Sequence, residues 1–177
     1  CISKALFFLS IDYIWNMNKR QLFHIILFVL IFGCNNIKDE KQVPFEKLSS
    51  DVTGINFSNI ITPDIETSEN LFDYDYFYNG SGVGIADINN DGLKDVLFTA
   101  NQEMNKLFLN KGNLTFEDIT ESSNINSKNK KWSSGVTFAD VNNDGWLDIY
   151  ISQGGPYNSK VRKNLLLINN QNLTFSE

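Results

Sequence analysis

The chain is poor in the residues that carry most enzymatic chemistry. Its one histidine, His24, lies in an apolar run near the N-terminus. The remainder therefore has no imidazole to act as general base or zinc ligand, and Ser-His-Asp chemistry is excluded within this sequence. There are two cysteines, Cys1 and Cys34, so no disulfide can staple the chain that follows them. Basic surface is also scarce. From Cys34 onward 12 basic residues face 20 acidic ones, a net of −8, which disfavours a nucleic-acid partner. The basic cluster Lys128–Lys131 sits in an Asn/Ser/Lys-rich turn and reads as a solvated loop. Gly80-Ser-Gly-Val-Gly84 lacks the lysine and the following helix that a phosphate-cradling loop needs. The longest apolar run, Leu22–Phe32, has 11 residues and falls short of the about 20 that cross a bilayer.

What is present is a pair of acidic, glycine-containing nonapeptides. They read Asp87-Ile-Asn-Asn-Asp-Gly-Leu-Lys-Asp95 and Asp140-Val-Asn-Asn-Asp-Gly-Trp-Leu-Asp148, with start points 53 residues apart. Each places side-chain oxygens at positions 1, 3, 5 and 9 and glycine at position 6, the spacing with which a short loop wraps a hard cation such as Ca²⁺. The first loop offers Asp87, Asn89, Asp91 and Asp95, with the main-chain carbonyl of Leu93 at position 7. The second offers Asp140, Asn142, Asp144 and Asp148, with the carbonyl of Trp146. Gly92 and Gly145 permit the turn. Three crowded carboxylates repel one another, so a loop without a cation is expected to loosen. An EF-hand is excluded, because position 12 is Phe98 or Ile151 rather than glutamate. The bland alternative is a pair of Asn-Asp-Gly hairpin turns with acidic surface residues.

The flanks read as strands. Val83–Ile88 and Asp95–Ala100 bracket the first loop, Val136–Val141 and Asp148–Ser152 the second, all short β-branched and aromatic runs. The repeat continues downstream, where Leu107-Phe-Leu-Asn-Lys-Gly-Asn-Leu-Thr-Phe-Glu117 aligns with Leu166-Leu-Ile-Asn-Asn-Gln-Asn-Leu-Thr-Phe-Ser176. The offset there is 59, so the second copy carries six extra residues, placed around Gly154–Lys163. Four short strands per unit of about 40–50 residues suit a propeller blade. Gly82, Gly84 and Gly135 are expected to allow close approach of strands. One strand is expected within 51–70 and another over Asn70–Asn79, whose Tyr74, Tyr76, Phe77 and Tyr78 suit half-buried strand positions better than a binding surface. Trp132 and Trp146 suit packing better than a sugar platform. Of four Asn-x-Ser/Thr sequons, Asn113 and Asn172 recur at equivalent places and suit turns, whereas Asn56 and Asn79 do not recur.

Gly-Val-x-x-Ala-Asp-x-Asn-Asn-Asp-Gly-x-x-Asp, followed by the Asn-ended strand and the Thr-Phe strand, resembles the FG-GAP/VCBS repeat of integrin-α-like β-propellers. With Tyr76-Phe-Tyr-Asn-Gly-Ser-Gly-Val83, residues 50–177 are similar to bacterial lipoproteins of the ASPIC/UnbV type, relatives of cartilage acidic protein. The resemblance implies an all-β, incomplete β-propeller of two four-stranded blades with calcium loops, one Ca²⁺ per loop, and a role in binding protein or glycan. It implies no catalysis by this chain. The alternative is the N-terminal part of a polysaccharide-active enzyme with catalytic residues beyond residue 177. Close carboxylates could serve a glycosidase, but those here lie in the cation loops.

The front end reads as a lipoprotein signal at residues 17–33. Lys19 and Arg20 precede the apolar run, and Ile31-Phe-Gly-Cys34 is similar to a bacterial lipobox in which Cys34 takes the lipid. Residues 1–16 are then expected to be an upstream non-native extension, with a helix through the signal, and 34–50 a tether. Residues 51–81 are read as N-terminal strands leading into the propeller, 82–120 as the first repeat and 121–177 as the second, truncated one. The whole reads as the N-terminal fragment of an exported, membrane-anchored envelope protein, at the outer membrane or cell surface. No nucleic acid is expected as partner.

Overall fold

The structure is a computed structural model that describes residue 18 and residues 45–126, 132–157 and 162–177. The chain divides into two compact units, Cys1–Glu46 and Lys47–Glu177, and the architecture below belongs to the second. The signal, the lipid-acceptor Cys34 and Lys128–Lys131 lie outside the described residues. Among the described residues no helix is long and apolar enough to cross a membrane.

The second unit is all-β. Strands β1 (Val83–Ala86), β2 (Asp95–Phe98), β3 (Lys106–Asn110) and β4 (Phe116–Asp118) form one four-stranded antiparallel sheet in sequential order. Strands β5 (Trp132–Ala139), β6 (Asp148–Gly154), β7 (Leu165–Asn169) and β8 (Phe175–Ser176) form a second. Among the described residues helix is confined to two single turns, α1 (Ser50–Thr53) and α2 (Thr120–Ser123). The repeat unit inferred from sequence is thus present twice as a four-stranded meander. The extra residues of the second copy lengthen β6 and the β6–β7 connector.

Period-2 alternation decides how the sheets meet. Leu97 pairs with Leu107 across β2 and β3, and Ile149 with Leu167 and Ile151 with Leu165 across β6 and β7. These side chains join Ala86, Ile88, Leu109, Ile125 and Phe175 in one buried cluster that takes residues from both sheets. At about 25 cal/mol per Å² of apolar surface removed from water, this shared core is the main force holding the sheets together. Glycine makes the approach possible where β1 meets β5. A Cβ on Gly82 would stand 2.9 Å from the Cα of Gly135, and one on Gly84 would stand 2.6 Å from the Phe138 ring.

Two expected strands are absent. Between residues 51 and 70 the chain forms α1, then a segment in which burial alternates from Thr53 to Ile60 without a ladder, and an isolated bridge from Asp64 to Glu69. Side chains replace the ladder: Asn59 and Asn101 exchange hydrogen bonds of 2.7 and 3.0 Å, and Thr62 and Gln102 exchange bonds of 2.6 and 3.0 Å. Phe57 stacks on Phe98 with ring centroids 4.8 Å apart. Residues 70–79 are successive turns. The Asn70 carboxamide oxygen accepts the N–H groups of Phe72 (2.8 Å) and Asp73 (3.1 Å), and this local bonding outcompetes the β propensity of the aromatics. Residues 51–81 therefore precede the first sheet as turns and a side-chain-pinned segment.

Gly54 ends α1 at φ +75°, and a methyl there would collide with the backbone carbonyl oxygen of Phe116. Gly54→Ala is expected to lower stability by about 1–2 kcal/mol from the backbone conformation alone, and by more through the collision with β4. Urea unfolding checks this; an unchanged midpoint would contradict it.

Candidate functional site

The two acidic nonapeptides are the corners that join β1 to β2 and β5 to β6. The hydrogen bonds internal to each loop match one for one. In the first loop Asp87 Oδ1 accepts the Asp91 N–H (3.1 Å) and its Oδ2 the Gly92 N–H (2.9 Å), while Asp91 Oδ1 accepts the Leu93 N–H (2.8 Å). In the second, Asp140 Oδ1 accepts the Asp144 N–H (3.1 Å) and its Oδ2 the Gly145 N–H (2.8 Å), while Asp144 Oδ1 accepts the Trp146 N–H (2.9 Å). Asn89 and Asn142 each donate to the position-5 aspartate, at 2.9 and 3.0 Å. Asn90 and Asn143, at position 4, have φ of +58° and +60°, and Gly92 and Gly145 have +87° and +85°. Asparagine and glycine are the residues that tolerate this region.

Position 9 behaves differently from positions 1, 3 and 5. Asp95 and Asp148 are 0 % and 1 % exposed. Asp95 Oδ2 accepts the Ile88 N–H (2.9 Å) and its Oδ1 the Asn110 N–H (2.8 Å). Asp148 does the same with Val141 (3.0 Å) and Asn169 (2.8 Å). These buried carboxylates tie the start of β2 or β6 to the loop's entry and to the end of β3 or β7.

The electrostatics separate the same positions. Burial pushes the Asp95 carboxyl above its ordinary range; the N–H groups of Asn110 and Ile88 oppose this, and the charges of Asp91 and Asp87 add to it. The exposed carboxyl of Asp91 is held below the ordinary range by the Leu93 N–H, the Asn89 amide and the charge of Lys111. Asp144 is lowered by the Trp146 N–H, then by the amides of Asn142 and Gln171. A proton is thus held more firmly at the buried Asp95 than at the exposed position-5 aspartates.

Among the described residues no three His, Cys, Asp or Glu side chains gather round one point as a metal ion would gather them. The carboxylates are instead turned onto the loop's own N–H groups. The donor chemistry nevertheless suits a hard cation: each loop carries three carboxylates, an asparagine amide and a position-7 carbonyl, all oxygen donors. A carboxylate oxygen that accepts one N–H keeps a further lone pair. The donors are therefore of the kind Ca²⁺ takes, and water or a second carboxylate oxygen would have to complete a shell of about six to eight.

Asn110 and Asn169 were visible in the sequence only as matched ends of the repeated strand, with no role attached. Each anchors a position-9 aspartate through its N–H. The Asn169 side chain also donates to the carbonyls of Ile88 (2.8 Å) and Leu147 (3.1 Å), and that of Asn110 to the carbonyl of Lys94 (2.9 Å). The repeated Asn after the Leu-rich strand was the available signal. The turn roles of Asn113 and Asn172 hold: Asn113 has φ +52°, and the Asn172 side chain accepts the Thr174 N–H at 3.1 Å. Trp132 is buried against Phe77 and Tyr74, as a packing residue should be.

No solved structure matches the chain. Cartilage acidic protein 1 of Xenopus tropicalis is 34% identical over 82 residues, covering 46% of this chain and 12% of that protein. The matched segment thus spans about one-eighth of the curated relative. Residues 87–151, which include both loops, match the family model described as the FG-GAP-like repeat, so the part of the chain that carries the candidate site is similar to that repeat.

Proposed function

We propose that this chain is part of a calcium-stabilised β-propeller protein, held at a cell envelope by lipid on Cys34, whose repeats present a surface to a protein or glycan. One observation carries the reading. Two loops 53 residues apart keep the same donor set at the same corner of two like sheets, with matched hydrogen bonds that agree to about 0.1 Å. Two-residue hairpin turns reverse a chain without three carboxylates apiece. Asp87, Asn89, Asp91 and Asp95 with the Leu93 carbonyl would hold one Ca²⁺, and Asp140, Asn142, Asp144 and Asp148 with the Trp146 carbonyl another. When bound, the ion would offset the charge of the crowded carboxylates, and the chain supplies the corner between the first two strands of each sheet. Two meanders packed through a shared core suit neighbouring blades of a propeller.

Calcium in 100-fold excess over its dissociation constant is expected to stabilise the chain by about 2.7 kcal/mol per loop relative to chelator. Magnesium is expected to do less, because it sheds its water reluctantly. Urea unfolding in calcium, magnesium and chelator reads this, and midpoints indifferent to calcium would contradict the reading.

The binding role is supported by exposed aromatics on the turns of 70–79. Phe72, Tyr76 and Tyr78 are 91, 62 and 60 % exposed beside the fully buried Phe77. Exposed aromatic rings of this kind are what a protein or sugar partner covers.

For the anchor, Cys34→Ser expressed in a bacterial host is expected to lose the acyl mass and to leave the membrane fraction. A variant still found in that fraction would contradict lipid attachment at Cys34.

A further inference from the structure

We propose that the two loops form a coupled cation pair in which Asn90 and Asn169 carry the coupling, so that filling one loop raises the affinity of the other. The inference rests on the calcium reading above. Its basis is a continuous path between the two position-9 carboxylates. Asp95 Oδ2 accepts the Ile88 N–H (2.9 Å), the Ile88 carbonyl accepts the Asn169 side-chain N–H (2.8 Å), and the Asn169 main-chain N–H donates to Asp148 Oδ1 (2.8 Å). Every residue on this path is 3 % exposed or less. Water cannot substitute for a broken link there, and bonds in such surroundings strengthen one another.

A second link joins the exposed tips. The Asn90 side chain donates to the Gly145 carbonyl at 3.1 Å. That carbonyl and the Trp146 N–H belong to one planar peptide, and the Trp146 N–H in turn donates to Asp144 at 2.9 Å. Asn90 of the first loop therefore grips the peptide that orients the position-5 ligand of the second. Its positive φ of +58° holds the side chain there only while the first loop keeps its turn.

A cation that fixes Asp95 and the turn around Asn90 sets both links, and the second loop then has less freedom to lose on closing. Lowered ordering cost at one site by occupancy of another is positive coupling, and it is reciprocal. Repulsion between two bound cations works the other way. Raised salt weakens that repulsion and leaves the buried hydrogen-bonded path in place.

The test is calcium calorimetry on the full 177-residue chain, on the single-loop variants Asp91→Ala and Asp144→Ala, and on Asn90→Gly and Asn169→Ala. Asn90→Gly keeps the positive φ and all candidate ligands and removes only the donor. The expected result is that the product of the two wild-type association constants exceeds the product of the two single-loop constants by about 5-fold or more. The excess should persist in raised salt and fall toward unity in Asn90→Gly. Two ions bound with a ratio of one or less would overturn the coupling and leave the calcium loops standing. A ratio above 5 that neither asparagine variant lowers would overturn the roles of Asn90 and Asn169. No calcium uptake by the wild type would overturn the inference together with the reading beneath it. Should Asn169→Ala fail to fold, Asn90→Gly, altered at an exposed position, decides.

Discussion

Trp132→Ala is expected to destabilise the chain by about 3–5 kcal/mol, the range for removing a buried large aromatic. Trp132 opens β5 at 2 % exposure, and its ring lies 5.4 Å from Phe77 and 5.9 Å, edge to face, from Tyr74. Phe77 is fully buried in the turns of 70–79. The indole is thus the peg that fixes those turns to the second sheet, and Gly155, beyond β6, leaves room for it: a Cβ there would stand 2.5 Å from that of Trp132. Truncation would empty a volume that the turns cannot refill, because Asn70 closes them internally and Asn101 pins the Gly80 carbonyl just beyond them. Urea unfolding with calcium held constant measures the loss. A change below about 1 kcal/mol would show that the aromatic cluster is peripheral to stability.

The second large effect separates the ligand positions. Asp95→Ala is expected to cost about 2–4 kcal/mol even in chelator. It strands two N–H groups, on Ile88 and Asn110, at about 1–3 kcal/mol for each left buried and unpaired. Asp91→Ala is expected to change stability in chelator by no more than about 0.5 kcal/mol, as for most exposed positions, yet to abolish the calcium response of its loop. Parallel unfolding in chelator and calcium distinguishes the two. Equal losses in chelator would contradict the division between a buried position 9 that builds the corner and an exposed position 5 that serves the ion.

The loops and their flanking strands were legible because the constraint is local. A carboxylate ladder with glycine at position 6 can be read without knowing what packs on it, and β-branched runs on either side have one reading. The glycines at 82, 84 and 135 were legible for the same reason, as missing side chains between strands. The segments before residue 82 were misread because their outcome is set by side chains far along the chain. Burial from Thr53 to Ile60 does alternate as a strand's would, but Asn101 and Gln102, about 40 residues on, supply the bonds that a neighbouring strand would have supplied. Over 70–79, Tyr and Phe suggested a strand, and the Asn70 carboxamide instead closed a turn. The supporting role of Asn110 and Asn169 was hidden because an asparagine ending a strand looks like any turn residue until its fold places a buried carboxylate beside it.

The most direct test of the account is the number of calcium ions bound. Calorimetric titration of the full chain should find two sites, with the double variant Asp91→Ala/Asp144→Ala binding none while remaining folded in chelator. A folded wild-type chain that takes up no calcium would contradict the account and leave the two corners as acidic hairpin turns.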